Sequence, residues 1–169
     1  LRYPLNFTAL ENHEAQLLEV DNQLKITAFG VKHRIPAWGF RFDEIVGRKI
    51  NQDFLAEHNP SHEAMQQIQL GKDFTTVDGE VLANETITHQ AHQPRSYAYC
   101  TDTAYYEALV EHIFQADLLY HEATFGKDMA DFAEQTFHST TVQAAEIARQ
   151  AEVGKLIIGH FSSRYKDTQ

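Results

Sequence analysis

Histidine is the residue to follow first. The chain carries ten histidines in 169 residues, and several stand where an apolar run ends. His33 comes just after Leu24–Val31, Asp102 lies just past Ser96–Cys100, His121 and Glu122 follow Leu118–Tyr120, and His160 follows Leu156–Gly159. Imidazole and carboxylate bind zinc, manganese or iron and move protons near neutral pH, whereas magnesium prefers oxygen ligands. If each run is a strand, four strands end in a residue equipped for that chemistry. Open α/β sheets form ligand sites at the carboxyl ends of their strands, so residues far apart in sequence would meet on one rim. The other histidines invite a plainer reading. His89 and His92 lie in a polar loop, and His13, His58, His62 and His112 in polar or helical contexts, so all are expected at the surface. Tyr97, Tyr99, Tyr105 and Tyr106 are read as packing, and Glu107 and Glu111 as an exposed helix face.

The elements that must position these residues follow from periodicity and punctuation. Leu24–Val31 alternates as a half-buried strand, and Trp38–Phe42 follows as a second beyond the Ile35-Pro36 bend. From Arg48 to about Gly71 the pattern is helical and polar, broken at Asn59-Pro60, with Ser61 placed to cap the second piece. Residues 73–95 are turn-rich, with Asp78-Gly79 as a hairpin turn. Ser96–Cys100 reads as a strand, Ala104–Phe114 as a helix burying Leu109 and Ile113, and Leu118–Tyr120 as a short strand. Thr141–Ala151 reads as a helix with Val142, Ala145, Ala148 and Ala151 inward, Ser139 or Thr140 as its cap and Gly154 closing it. Leu156–Gly159 is a buried strand. Strands alternating with helices predict an α/β fold with parallel strands and helical crossovers.

Composition narrows the classes. A chain of this length predicts one domain or a large piece of one. Hydrophobic residues make up 43% and charged residues 22%, as in ordinary globular proteins. No run of about 18 apolar residues exists, which excludes a membrane-spanning helix, and Leu1–Leu10 has no signal-peptide pattern. The single cysteine, Cys100, excludes an internal disulfide and fits a reducing, cytoplasmic setting. A formal charge of −10 argues against a generic nucleic-acid coat. Locally the balance reverses: Lys32, Arg34, Arg41, Arg48 and Lys49 outnumber Asp43 and Glu44 around His33.

From Tyr99 to Tyr165 the sequence resembles the ribonuclease Z family, the tRNA 3′-processing branch of the metallo-β-lactamase superfamily. Asp102-Thr103 resembles its Gly-Asp-Thr motif, with Thr101 in place of the glycine. His121-Glu122-Ala123-Thr124 matches its HEAT motif, and His138-Ser139-Thr140-Thr141 its HST motif. His160-Phe161-Ser162-Ser163-Arg164-Tyr165 matches its final metal motif, and His33–Arg41 resembles its fourth-histidine segment. The resemblance implies the C-terminal part of a metallo-β-lactamase αββα sandwich. It implies two zinc ions, or other divalent ions, with His33 on one, His160 on the other and Asp102 between them. His121 would be the catalytic histidine, held in orientation by Glu122 and His138, while Arg34, Arg41 and Arg164 would contact substrate phosphate. The reaction implied is removal of 3′ trailers from precursor tRNA by metal-hydroxide attack on a phosphodiester, in a cytoplasmic homodimer with no membrane association.

Two departures qualify the resemblance. The His-x-His-x-Asp-His motif, which supplies most remaining ligands, is absent from residues 1–169. The chain is therefore expected to begin near the middle of the family's length, to stop short of its end, and to be inactive alone. Second, residues 48–72 stand where the family carries a tRNA-gripping arm, with Pro60-Ser61-His62-Glu63 in place of its Gly-Pro pair, which predicts a recast arm. The alternatives are a related phosphodiesterase or esterase acting on small substrates, and a non-catalytic fragment.

Overall fold

The computed structural model describes residues 7, 9–11, 14–21 and 23–165, so His13 lies outside the described residues. In chain order the elements are β1 (Gln16–Val20), β2 (Leu24–Gly30), β3 (Trp38–Glu44), β4 (Arg48–Ile50), α1 (Gln52–His58), α2 (His62–Gln69), β5 (Phe74–Thr75) and β6 (Val81–Leu82). They continue with α3 (Asn84–Ile87), β7 (Thr88–Gln90), β8 (Ser96–Cys100), α4 (Leu109–Ile113), β9 (Leu118–Glu122), α5 (Ala130–Thr136), α6 (Thr141–Gln150) and β10 (Lys155–Gly159). They form two compact units, one of Leu1–Val20, Lys25–Asp43 and Ser96–Gln169, the other of Asp21–Leu24 and Glu44–Arg95.

The first unit is a six-stranded sheet in the order β1-β2-β3-β8-β9-β10. Strands β8, β9 and β10 run parallel, as the strand–helix alternation predicts, while β3 runs antiparallel to β8. Strand alternation sends Ala98, Cys100 and Leu119 to one face. There they meet Leu109 and Ile113 of α4 and Ile147 and Ala148 of α6 in the main core. The opposite face is aromatic: Phe42 stacks on Tyr97 at 5.9 Å and Tyr99 on Tyr120 at 4.9 Å between ring centroids. The Tyr120 ring lies over Gly159, where any β-carbon would collide with it.

Helix α6 begins at a capping box in which Thr140 accepts from the Gln143 backbone and Gln143 returns the bond. Its buried face is Ala144, Ile147, Ala148 and Ala151, not the face containing Val142 and Ala145, which are exposed. A step of three alone drifts off a helix of 3.6 residues per turn, and the bulky Ile147 sets the true stripe. Glu152, with φ 52°, takes the left-handed position after the helix. Gly154 serves packing instead, since a β-carbon there would sit 2.9 Å from the Asp117 carbonyl oxygen.

The second unit has its own core of Ile50, Phe54, Ile68 and Ile87, beneath the β4–β7 and β5–β6 pairs. Asn59, left-handed at φ 39°, ends α1, and Ser61 caps α2 by accepting from the Ala64 N–H at 3.2 Å. Gly79, at φ 85°, makes the expected hairpin turn between β5 and β6. The unit's two ends are clasped. The Glu44 N–H donates to the Arg95 carbonyl at 2.9 Å, and the Glu44 carboxylate accepts from the Arg95 guanidinium at 3.3 Å and contacts His92 at 3.1 Å. Arg95, then His92, hold the Glu44 carboxyl down at about 2. Two histidines expected at the surface are half-buried: His58 packs on Phe54, and His112 stacks on Phe29 at 5.0 Å and 15°. Each packs its imidazole against an apolar ring, which polar neighbours in sequence do not reveal.

Candidate metal centre

The parallel strands deliver their terminal residues to one rim. Asp102 follows β8, His121 and Glu122 end β9, and His160 follows β10. Asp102 and His160 both adopt left-handed backbone, at φ 50° and 62°. Non-glycine residues rarely sit there, and such conformations persist when the surroundings over-determine them. Here they turn both side chains back toward each other: His160 Nε2 lies 3.3 Å from Asp102 Oδ1.

Glu122 is the fully buried hub of the rim. One oxygen accepts from the Thr103 N–H at 3.1 Å and from His138 Nδ1 at 2.6 Å. The other accepts from the Thr124 N–H at 2.9 Å, the Thr124 hydroxyl at 2.7 Å and the Ser139 N–H at 3.2 Å. A buried carboxylate is tolerated only when its lone pairs are this fully used. By using them it ties the loops after β8 and β9 to the loop that carries His138. The loop of His33 joins the same assembly, since the Lys32 N–H donates to Thr103 Oγ1 at 3.2 Å and the Ala104 N–H to the Lys32 carbonyl at 2.8 Å.

These contacts also set the imidazole tautomers. A carboxylate or carbonyl only accepts, so Nδ1 carries the proton in His138, facing Glu122, and in His33, whose Nδ1 donates to the Phe137 carbonyl at 3.1 Å. Thr124 spends its single hydroxyl hydrogen on Glu122, so it must accept from His160 Nδ1 at 2.9 Å. In His138 and His33 the Nε2 side of the ring is left for another partner, and in His160 it faces the Asp102 carboxylate. Ligand atoms of Asp102, His138 and His160 all lie within 4.8 Å of one another. Two ligands about 2 Å from one ion at a tetrahedral angle stand about 3.3 Å apart. The donor set and its spacing therefore fit a divalent metal ion with borderline-soft preferences.

The sequence-derived candidates divide. Asp102 and His160 belong to the cluster; His33 flanks it, its ring 5.3 Å from that of His138. His138, expected only as a support, is itself in the cluster. His121, expected to be catalytic, is 1% exposed with Nδ1 donating to the Glu122 carbonyl, and burial lowers its pKa. It packs beneath the rim, nearly sealed from solvent. Arg41 is committed elsewhere: its guanidinium pairs with Asp43 at 2.8 Å and donates to the Phe114 carbonyl at 2.8 Å. Arg34 and Arg164, by contrast, line a cleft of about 440 Å³ with His138 and Thr124. Thr124, the relay between His160 and Glu122, was missed as a candidate. Its place in the same four-residue motif as His121 and Glu122 was the available signal.

Comparison with known proteins supplies context for this geometry. No family model matches the chain. Ribonuclease Z of Parabacteroides distasonis is 41% identical over 168 residues, covering 99% of this chain and 55% of that protein. Ribonuclease Z of Cytophaga hutchinsonii is 42% identical over 171 residues, covering 100% of this chain and 54% of that protein. The chain thus spans about half the length of the relatives it matches. Among solved structures, the short form of human tRNase Z aligns over 92% of this chain and 43% of its own, with TM-score 0.55 and 25% identity. The metallo-β-lactamase fold protein YhfI of Bacillus subtilis covers 88% of this chain and 40% of its own with TM-score 0.53 and 16% identity, a likeness of fold. With its parallel strands, its rim of histidine and aspartate, and about 40% identity along its whole length, the chain is similar to ribonuclease Z and has the metallo-β-lactamase fold.

Proposed function

We propose that this chain supplies one side of the active site of a zinc-dependent endoribonuclease that removes 3′ trailers from precursor tRNA. The observation that carries the reading is the cluster of Asp102, His138 and His160, with Nδ1 of both histidines held from behind by Thr124 and Glu122. Asp102 and His160 would hold the metal, and His33 would serve a second ion. Metal ions bound there supply Lewis-acid activation of water and of the phosphoryl oxygen. His138 handles the proton at the leaving 3′ oxygen. It alone of the cluster lines the cleft that holds Arg34 and Arg164, and a general acid must lie within hydrogen-bond reach of the atom it serves. Glu122 balances the charge on His138 while Nε2 carries that proton, and His121 fills the space beneath. Precursor tRNA as substrate, zinc as the ion, a cytoplasmic site of action and a homodimer are parts of this proposal.

The test is cleavage of a 3′-extended tRNA precursor by this chain and by the complete product of its gene, each with zinc or with chelator. Metal-dependent cleavage by the complete product is expected, with His138→Ala lowering the rate roughly a hundred- to ten-thousandfold. Turnover of a small chromogenic phosphodiester without cleavage of the precursor would overturn the tRNA assignment. That outcome would favour the small-substrate hydrolase, a reading supported by the second unit's charge. Residues 44–95 carry Arg48, Lys49, Lys72 and Arg95 against Glu44, Asp53, Glu57, Glu63, Asp73, Asp78, Glu80 and Glu85, a poor surface for gripping RNA.

A further inference from the structure

Ser139 is left over once its neighbour has been placed. Thr140 caps α6, so the Ser139 side chain has no helix terminus to serve. Ser139 is fully buried, and a buried hydroxyl needs an acceptor. It donates to the Thr103 carbonyl at 2.6 Å, 36 residues away in sequence. The Ser139 backbone is spent as well: its N–H donates to Glu122 at 3.2 Å, and its carbonyl accepts from the Phe125 N–H at 3.2 Å. One residue thus joins the loop of His138 to the loops after β8 and β9.

The partner, Thr103, is fully buried and held at every polar group. Its N–H donates to Glu122 at 3.1 Å, its hydroxyl accepts from the Lys32 N–H at 3.2 Å, and its carbonyl has the Ser139 hydroxyl. Directly before it stands Asp102, whose left-handed backbone at φ 50° persists only if its surroundings enforce it. Of these three bonds on Thr103, the one from Ser139 alone comes from the loop that carries His138. Without that hydroxyl the Thr103 carbonyl is a buried acceptor with no donor, and the loop must shift to satisfy it.

Resting on the metal-centre reading, we propose that Ser139 is a positioning residue: through the Thr103 carbonyl, its hydroxyl fixes the spacing between Asp102 and His138 before a metal ion arrives. A site assembled in advance gives up less freedom when its ligand binds. Ser139 therefore sets how tightly the site takes its ion and with what geometry, while acting on no reacting atom itself.

Two measurements on the complete gene product test this. In chelator, amide hydrogen exchange is followed by mass spectrometry. Ser139→Ala is expected to speed exchange at Thr103 roughly tenfold, the loss of one hydrogen bond, and to leave the amides around Ile147 in α6 at the parent's rate. With metal, zinc affinity is measured by competition with a chromogenic chelator, and the cobalt-substituted protein by its visible absorption bands. Ser139→Ala should weaken zinc binding roughly ten- to a hundredfold and alter the cobalt bands, and Ser139→Thr, which keeps the hydroxyl, should recover most of both. Ile147→Val, which loosens the core under α6, should leave affinity and bands as in the parent. Parent-like zinc affinity in Ser139→Ala, or an equal loss in Ile147→Val, would overturn the positioning role. A parent that binds no zinc would sink the metal-centre reading, and Thr103 exchange in chelator then decides the link alone: faster exchange in Ser139→Ala supports it, and unchanged exchange overturns it.

Discussion

At the scale of single residues, the site depends on which nitrogen of each imidazole is engaged from behind. Thr124 is the link with least redundancy, because one hydroxyl both accepts from His160 and donates to Glu122. Removing it frees the His160 ring to rotate and to place its proton on either nitrogen. Thr124→Val should therefore weaken metal binding roughly ten- to a hundredfold, while Thr124→Ser recovers most of it, as measured by competition with a chromogenic chelator. His121 makes a different prediction. Burial holds its pKa below the usual 6.5, so the folded state resists protonation that the unfolded chain accepts. The stability it contributes is fully present above about pH 6.5 and is lost as pH falls through the lowered folded value. His121→Asn should flatten the fall in urea stability below pH 6.5 by close to one proton's worth of slope.

At the scale of elements, the rim is assembled by the caps and joints of short segments rather than by long helices. Thr140 is the N-cap of α6 and follows directly on the loop bearing His138, and Phe125 and Thr140 form a bridge that joins that loop to the one after β9. Thr140→Ala should cost about 1 kcal/mol in chemical denaturation, the usual value of such a cap, because the Gln143 N–H loses its partner. The registers Cys100↔His121 and Ile158↔His121 show why the ends converge: parallel pairing in register brings the last residues of three strands level.

At the scale of the molecule, α4 and α6 cover one face of the six-stranded sheet, while Phe40, Phe42, Tyr97, Tyr99 and Tyr120 share the other. Apolar area of that kind drives association when water reaches it. The relatives run to nearly twice this length, and an αββα sandwich would set a second sheet there. This chain alone should bind the dye ANS strongly, and the complete gene product should bind it weakly; equal binding would show that the aromatic face stays open. The second unit, clasped by Glu44 and Arg95, folds about its own four-residue core and carries more acid than base.

Much of this was legible from residue types in order. The apolar runs, the Asn59-Pro60 break, the Ser61 cap and the Asp78-Gly79 turn are local signals, and each formed where its own few residues favour it. The strand–helix alternation required parallel strands, which placed Asp102 and His160 at one rim. Strand β1 and helix α5 carry weaker local patterns and were not anticipated, so the wall of the cleft could not be foreseen. Roles within the rim were decided by burial and by hydrogen-bond partners, which depend on contacts between residues far apart in sequence. His121 and His138 are both histidines in matched motifs, yet the pleat of β9 turns one into the core while a loop lays the other beside Asp102 and His160. Arg41 and Arg164 are both cations near the site, but Arg41 is taken by a carbonyl and a carboxylate while Arg164 lines the cleft. Residue chemistry and local periodicity name the reactants; only the packed chain settles which of them face the substrate, because burial is a property of the whole.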